Sequence, residues 1–170
     1  EMFESYNLES KLDHGVLLPL HFVDKFYHNF EIVPITYGLL SPKELYDFGN
    51  LINKAILQQK KDVVIIASGD LSHKLSNKGP YSYSKEGEEF DSLIVELIEG
   101  NRLEEILTID LDFANKAGEC GLRSLMILTG ILSNYEVESK MISYEGPFGV
   151  GYGIASFDIL NEEKKDYTDL

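Results

Sequence analysis

Apolar positions along the chain follow two rhythms, one helical and one extended. Val16, Leu17, Leu20, Val23 and Tyr27 recur at helical spacing, with Pro19 expected in the first turn, where its missing N–H is tolerated. "EIVPITY", Glu31 to Tyr37, predicts a strand rich in β-branched residues, and Pro34 places it at an edge or a bulge. Ser41-Pro42-Lys43-Glu44 predicts a helix start: Ser41 caps, Pro42 takes the first helical position and Glu44 closes a capping box. Leu45, Phe48, Ile52, Ala55 and Ile56 then form one apolar face that runs out near Gln59. "DVVIIAS", from Asp62, is a continuous apolar run of the kind buried on both faces of a sheet. This strand–helix–strand order predicts a right-handed βαβ unit.

Downstream, "NKGPYSYS" is rich in turn formers, residues 86–99 predict a helix, and 101–108 a second, short one. "NKAGECGLR" runs into an apolar helix from Leu122 to Leu132. "EVESKMISYE" and "VGYGIASFDIL" predict two strands joined by a turn rich in glycine and proline. The glycines of that turn, Gly146, Gly149, Gly151 and Gly153, fail as a dinucleotide fingerprint, because a strand follows where a helix is required. With no internal repeat and no second core, the expectation is one α/β domain over residues 1–160 and a charged tail or linker over 161–170.

Composition narrows the function. A chain of 170 residues with 44% hydrophobic content is enough for one sizeable core. Its 29 acids against 15 bases give a formal net charge of -14, which repels phosphate backbones and anionic membrane surfaces, so no nucleic-acid or membrane partner is expected. No apolar stretch approaches the roughly 20 residues that span a bilayer. The opening "EMFESYNLES" carries no signal-peptide pattern. The single cysteine, Cys120, excludes an intramolecular disulfide and suits a reducing cytosol, so a cytoplasmic location is expected.

Three stretches carry candidate chemistry. "ASGDLSHK", residues 67–74, lies at the carboxyl end of a predicted buried strand, where α/β sheets collect ligands. It reads either as a turn, with Ser68 and Asp70 satisfying loop N–H groups, or as a site around His73. A third reading makes Ser72 a nucleophile beside His73, although no G-x-S-x-G elbow is present. "LDHG" sets Asp13 as a helix cap and His14 to project into a cleft. His21 and His28 read as structural or surface residues. "AGECG" sets Glu119 and Cys120 at a helix start: a carboxylate there suits a hard metal, a thiolate a soft one, and the plain reading is a capped helix with a small buried thiol.

Taken in order, "LDHGVLLPLHF", "IVPITYG", "VVIIASGDLSHK", "AGECGLRSLMILTGIL" and "YGIASF" resemble the class III extradiol dioxygenase superfamily. The likeness is nearest to its Memo-like branch, including bacterial members joined to an AMMECR-type domain, and it runs from Lys11 to Leu160. The resemblance implies a three-layer α/β fold with a mixed, mostly parallel sheet flanked by helices. It also implies a non-haem Fe(II) site held by two histidines and a third ligand. Those two histidines come from strands ahead of "LDHG", so the expectation is the C-terminal part of a catalytic domain, with N-terminal strands missing upstream of Glu1-Met2. The exposed sheet edges would be covered by partner chains, as in a homo-oligomer.

The third ligand maps to "GECG", a glutamate in ring-cleaving members and a cysteine in Memo-like ones; this chain offers both Glu119 and Cys120. His73 first, and His14 second, match the non-ligand histidines that serve as acid–base groups. Ser68 and Asp70 would orient the loop, and Tyr144 would shape the cleft rim. The implied function is O2-dependent extradiol cleavage of a catechol-type or related small aromatic substrate. The alternative is a Memo-like metal-binding redox or protein-interaction module without ring cleavage.

Overall fold

The computed structural model describes residues 12–79 and 81–162, so most of the expected tail lies outside the described residues. The chain divides into two compact units, one ending at Thr36 and one beginning at Tyr37. Among the described residues no helix is long and apolar enough to cross a membrane.

In the first unit, α1 spans His14–Val23. Asp13 caps it by accepting the Val16 N–H at 3.2 Å. The helix stops short of Tyr27, and Pro19 sits at its sixth position rather than in its first turn. No residue of α1 is buried.

The second unit begins with α2, Pro42–Leu57, entered through the capping box that the sequence announces. Ser41 Oγ accepts the Glu44 N–H at 3.3 Å, and Glu44 Oε2 accepts the Ser41 N–H at 2.8 Å. There follow α3 (Lys85–Glu99), a 3-10 turn (Leu103–Thr108), α4 (Leu111–Ala117), α5 (Leu122–Leu132), β1 (Tyr135–Glu145), a second 3-10 turn (Pro147–Gly149) and β2 (Tyr152–Glu162). The hydrophobic rhythm misses α4, whose seven residues are too few to declare a period. Its start is nonetheless capped, with Asp110 Oδ1 accepting the Phe113 N–H at 2.8 Å.

The described sheet is a single antiparallel pair, β1 against β2, with register shifts at Glu136/Val137 and at Met141/Ser143. Among the described residues no ladder includes 31–37 or 62–68, so the expected βαβ unit is not formed by them. A strand exists only through a neighbour's N–H and C=O groups, and local propensity alone does not supply one. The run from Val63 to Ile66 is accordingly not buried on both faces: Val64 is 85% exposed.

The core lies between helices and the inner face of β1. Gly87, Phe90, Asp91, Ile94, Leu97 and Ile98 form the buried stripe of α3. They meet Leu122, Met126 and Ile127 of α5, with Ile106, Ile109, Ala114 and Ala117 closing the side. Helices α2 and α5 approach to backbone contact through two glycines. A Cβ on Gly49 would stand 2.2 Å from Ile127 O, and one on Gly130 would stand 2.1 Å from Tyr46 O. No rigid-body adjustment short of separating the helices accommodates either methyl group.

Gly130→Ala should therefore destabilise the chain by about 1–3 kcal/mol, the usual range for overpacking. Ser41→Ala should cost about 1 kcal/mol through the lost cap. Chemical denaturation followed by circular dichroism measures both. An unchanged midpoint for Gly130→Ala would contradict the close approach of α2 and α5.

Candidate metal centre

Two loops build the site. The first, residues 68–75, carries Asp70 and His73; the second, 118–121, joins α4 to α5 and carries Cys120. Helix α4 ends on Gly118, whose φ of 70° and ψ of 39° form a left-handed cap that glycine adopts without penalty. The chain then reverses into α5, whose first N–H groups lack partners within the helix. Glu119 supplies one: its Oε2 accepts the Leu122 N–H at 2.6 Å.

The loops are zipped together by backbone. Cys120 N–H donates to Asp70 O at 3.2 Å, and His73 N–H donates to Gly118 O at 3.3 Å. Asp70 N–H donates to Cys120 Sγ at 3.1 Å, drawing the sulfur against the first loop. Ser124 Oγ of α5 donates to Ser68 O at 2.9 Å, and Tyr37 O–H donates to Cys120 O at 2.7 Å.

The donor atoms converge. His73 Nε2 lies 3.3 Å from Asp70 Oδ2 and 3.7 Å from Cys120 Sγ. The ligand atoms of Asp70, His73 and Cys120 all lie within 4.8 Å of one another. Ligands at bond lengths of about 2.0–2.3 Å around a tetrahedral ion stand roughly 3.3–3.8 Å apart, so the two short separations fit a shared cation. A nucleophilic triad fits poorly: it uses both imidazole nitrogens, one for the thiol and one for the carboxylate, whereas here Nε2 faces both groups. The His73 ring stacks on Tyr81, with centroids 5.3 Å apart and planes 19° from parallel.

Burial pushes the Cys120 thiol up, the Asp70 N–H draws it partly back, and the Asp70 and Glu119 carboxylates raise it again. A protonated thiol is a weak nucleophile, and a bound cation would displace its proton. Burial also raises the Glu119 carboxyl, against the opposing pull of the Leu122 N–H and Arg123.

Behind His73 lies a second layer. Ser72 is fully buried; its Oγ donates to Ala117 O at 2.8 Å and accepts the Lys74 N–H at 2.9 Å. A hydroxyl committed to a carbonyl inside the core is no nucleophile, which removes the hydrolase reading. Asp91 of α3, only 1% exposed, accepts the Ser72 N–H and the Tyr144 O–H, each at 2.7 Å. Burial pushes its carboxyl up, and the bonds from Tyr144 and Ser72 oppose that shift. The Tyr144 phenol is pushed well above its ordinary range by burial and by its bond to Asp91.

The expected residues thus separate into groups. Asp70, His73 and Cys120 share one cluster. Glu119, the alternative to Cys120, spends its carboxylate on the α5 N-terminus. The Ser68 carbonyl is held by Ser124. Tyr144, expected at a cleft rim, turns its hydroxyl onto buried Asp91. His14 is the exposed first residue of α1, in the first unit. His28 is a surface partner of Asp24 at 3.2 Å, as the sequence reading has it. Asp91 and Tyr81 escape that reading. Asp91 had a signal, being an acid on the apolar stripe of α3, four positions after Gly87 and three before Ile94.

Known proteins give this geometry a context. Residues 1–155 match the family described as the catalytic LigB subunit of aromatic ring-opening dioxygenase. Protein CA_C1420 of Clostridium acetobutylicum is 40% identical over 170 residues, covering 100% of this chain and 36% of that protein. A MEMO1 family protein of Methanosarcina mazei is 30% identical over 92 residues, covering 54% of this chain and 32% of its own length. The chain spans about a third of the length of the curated relatives it matches. With the LigB match running through both loops of the Asp70–His73–Cys120 cluster, the chain belongs to the LigB family of class III extradiol dioxygenases, and its MEMO1 family relative supports the Memo-like branch.

Proposed function

We propose that the intact protein is a divalent-metal, O2-dependent dioxygenase-type enzyme acting on a catechol-type or related small aromatic substrate. In this reading the present chain contributes Asp70, His73 and Cys120 to the metal, non-haem iron in the first instance. The observation that carries the reading is the convergence of His73 Nε2 on both Asp70 Oδ2 and Cys120 Sγ. Family membership supports that reaction class. The remaining ligands, the three-layer sheet that would complete the fold, an AMMECR-type domain and any homo-oligomer belong to the proposal for the intact protein.

A bound divalent ion supplies Lewis acidity, favouring the deprotonated form of a substrate hydroxyl beside it. The chain's own residues do the rest. Asp70 Oδ2 stands 3.3 Å from His73 Nε2, where the two can face one cation. Tyr81 fixes the plane of the imidazole by stacking. Cys120 brings a soft donor, held in place by the Asp70 N–H.

A second reading is favoured by that same thiol. Sulfur in the cluster, with Glu119 diverted to cap α5, suits a borderline or soft metal better than a hard one. This supports a Memo-like metal-binding redox or interaction module that opens no ring.

The ligand set is tested by metal titration of the intact protein. Cys120→Ser should weaken binding at least about tenfold, since even outer-shell partners are worth that much. Glu119→Gln should leave affinity near that of the wild type. Equal loss in both variants would sink Cys120 as the ligand. His73→Ala separates two roles: a ligand loses metal, whereas an acid–base group keeps metal and loses turnover. Oxygen uptake decides the reaction. The iron-loaded intact protein should consume O2 with at least one member of a catechol panel; no uptake with any member would leave the module reading in its place.

A further inference from the structure

We propose that Asp91 is the positioning residue of the Asp70–His73–Cys120 cluster, holding the turn that aims His73 at Cys120. The inference rests on the reading of that cluster as a metal centre.

Consider what the carboxylate joins. Its Oδ1 accepts the Ser72 N–H and its Oδ2 the Tyr144 O–H, both at 2.7 Å. Ser72 stands between Leu71, which donates to Gly151 O at 2.9 Å, and His73; Gly151 N–H returns a bond to Ser72 O at 2.7 Å. One side chain of α3 therefore ties the His73 loop to the end of β1, while the backbone of that loop holds Gly151, the residue just before β2. The seat admits nothing larger: a Cβ on Gly151 would fall 2.0 Å from Asp91 Oδ2.

Burying a carboxylate is costly unless its oxygens are bonded, and an apolar residue of similar size would suit the α3 stripe better. What the acid adds is direction. Ser72 points into the core and His73, the next residue, out toward Cys120. Fixing the Ser72 amide fixes the peptide plane from which His73 departs. Asparagine keeps the shape and an acceptor for that amide; leucine, which is larger, removes the acceptor and leaves a buried N–H to seek another partner.

The test titrates Co2+ into the intact protein and reads the thiolate-to-cobalt charge-transfer band. Asp91→Leu, if folded by circular dichroism, should weaken Co2+ binding about tenfold or more and displace the band, the range for groups that orient a ligand. Asp91→Asn should stay within about threefold of the wild type, as expected when the amide keeps its acceptor. Gly151→Ala, which displaces the carboxylate while leaving it present, should follow Asp91→Leu and covers the case in which leucine prevents folding. Wild-type affinity and an unshifted band in either folded variant would overturn the proposal. If the wild-type protein itself binds no Co2+, the metal reading fails separately. The alkylation rate of the Cys120 peptide by iodoacetamide then decides: a changed rate in Asp91→Leu or Gly151→Ala upholds positioning, and an unchanged one ends it.

Discussion

Everything in the cluster depends on two backbones lying closer than side chains permit. A Cβ on Gly69 would stand 2.4 Å from the Cα of Gly121 and 2.8 Å from Cys120 O. A Cβ on Gly121 would stand 3.0 Å from Asp70 O. These glycines flank Asp70 and Cys120, and only their bare backbones let the two loops exchange hydrogen bonds between Asp70 and Cys120. Separate the loops by the width of a methyl group and the sulfur leaves the imidazole.

That closeness has an electrostatic cost that the cluster itself makes useful. One carboxylate and a thiol face one imidazole in a chain already carrying a net charge of -14. Such an arrangement suits a cation, and the thiol of Cys120 is raised by burial first and by the neighbouring carboxylates second. Asp91 repeats the theme one layer deeper, where Tyr144 and Ser72 provide its hydrogen bonds.

Local signals in the sequence were the most legible. The Ser41–Glu44 capping box, α3, α5 and the β1–β2 hairpin all follow from nearby residues, and the structure places them as read. The runs at 31–37 and 62–68 were harder, because apolar β-branched residues state a preference and say nothing of a neighbour. In the site, the loop position of Cys120 was legible from the start of α5, and that of His73 from the turn-forming residues around it and from the family likeness. The convergence of Asp70 with them was not, since it arises from a contact between residues 50 apart in the chain. Glu119 and Cys120 stood as alternatives in the sequence; in the fold Glu119 accepts the Leu122 N–H at the start of α5, and Cys120 lies with Asp70 and His73. Asp91 was hidden among the acids of "KEGEEFDSL", where only its phase on the helix distinguishes it.

The glycine contacts between α2 and α5 have a mechanical consequence. Helix α5 is a lever with Gly130 pressed on Tyr46 near one end and Cys120 just beyond the other, about 15 Å away at 1.5 Å per residue. A close-packed helix moves as a rod and does not absorb a displacement along its length. Substitutions beneath Tyr46 or Gly49 would therefore retune the spacing between sulfur and imidazole without touching either, so drift in donor geometry can originate on a helix that contributes no donor.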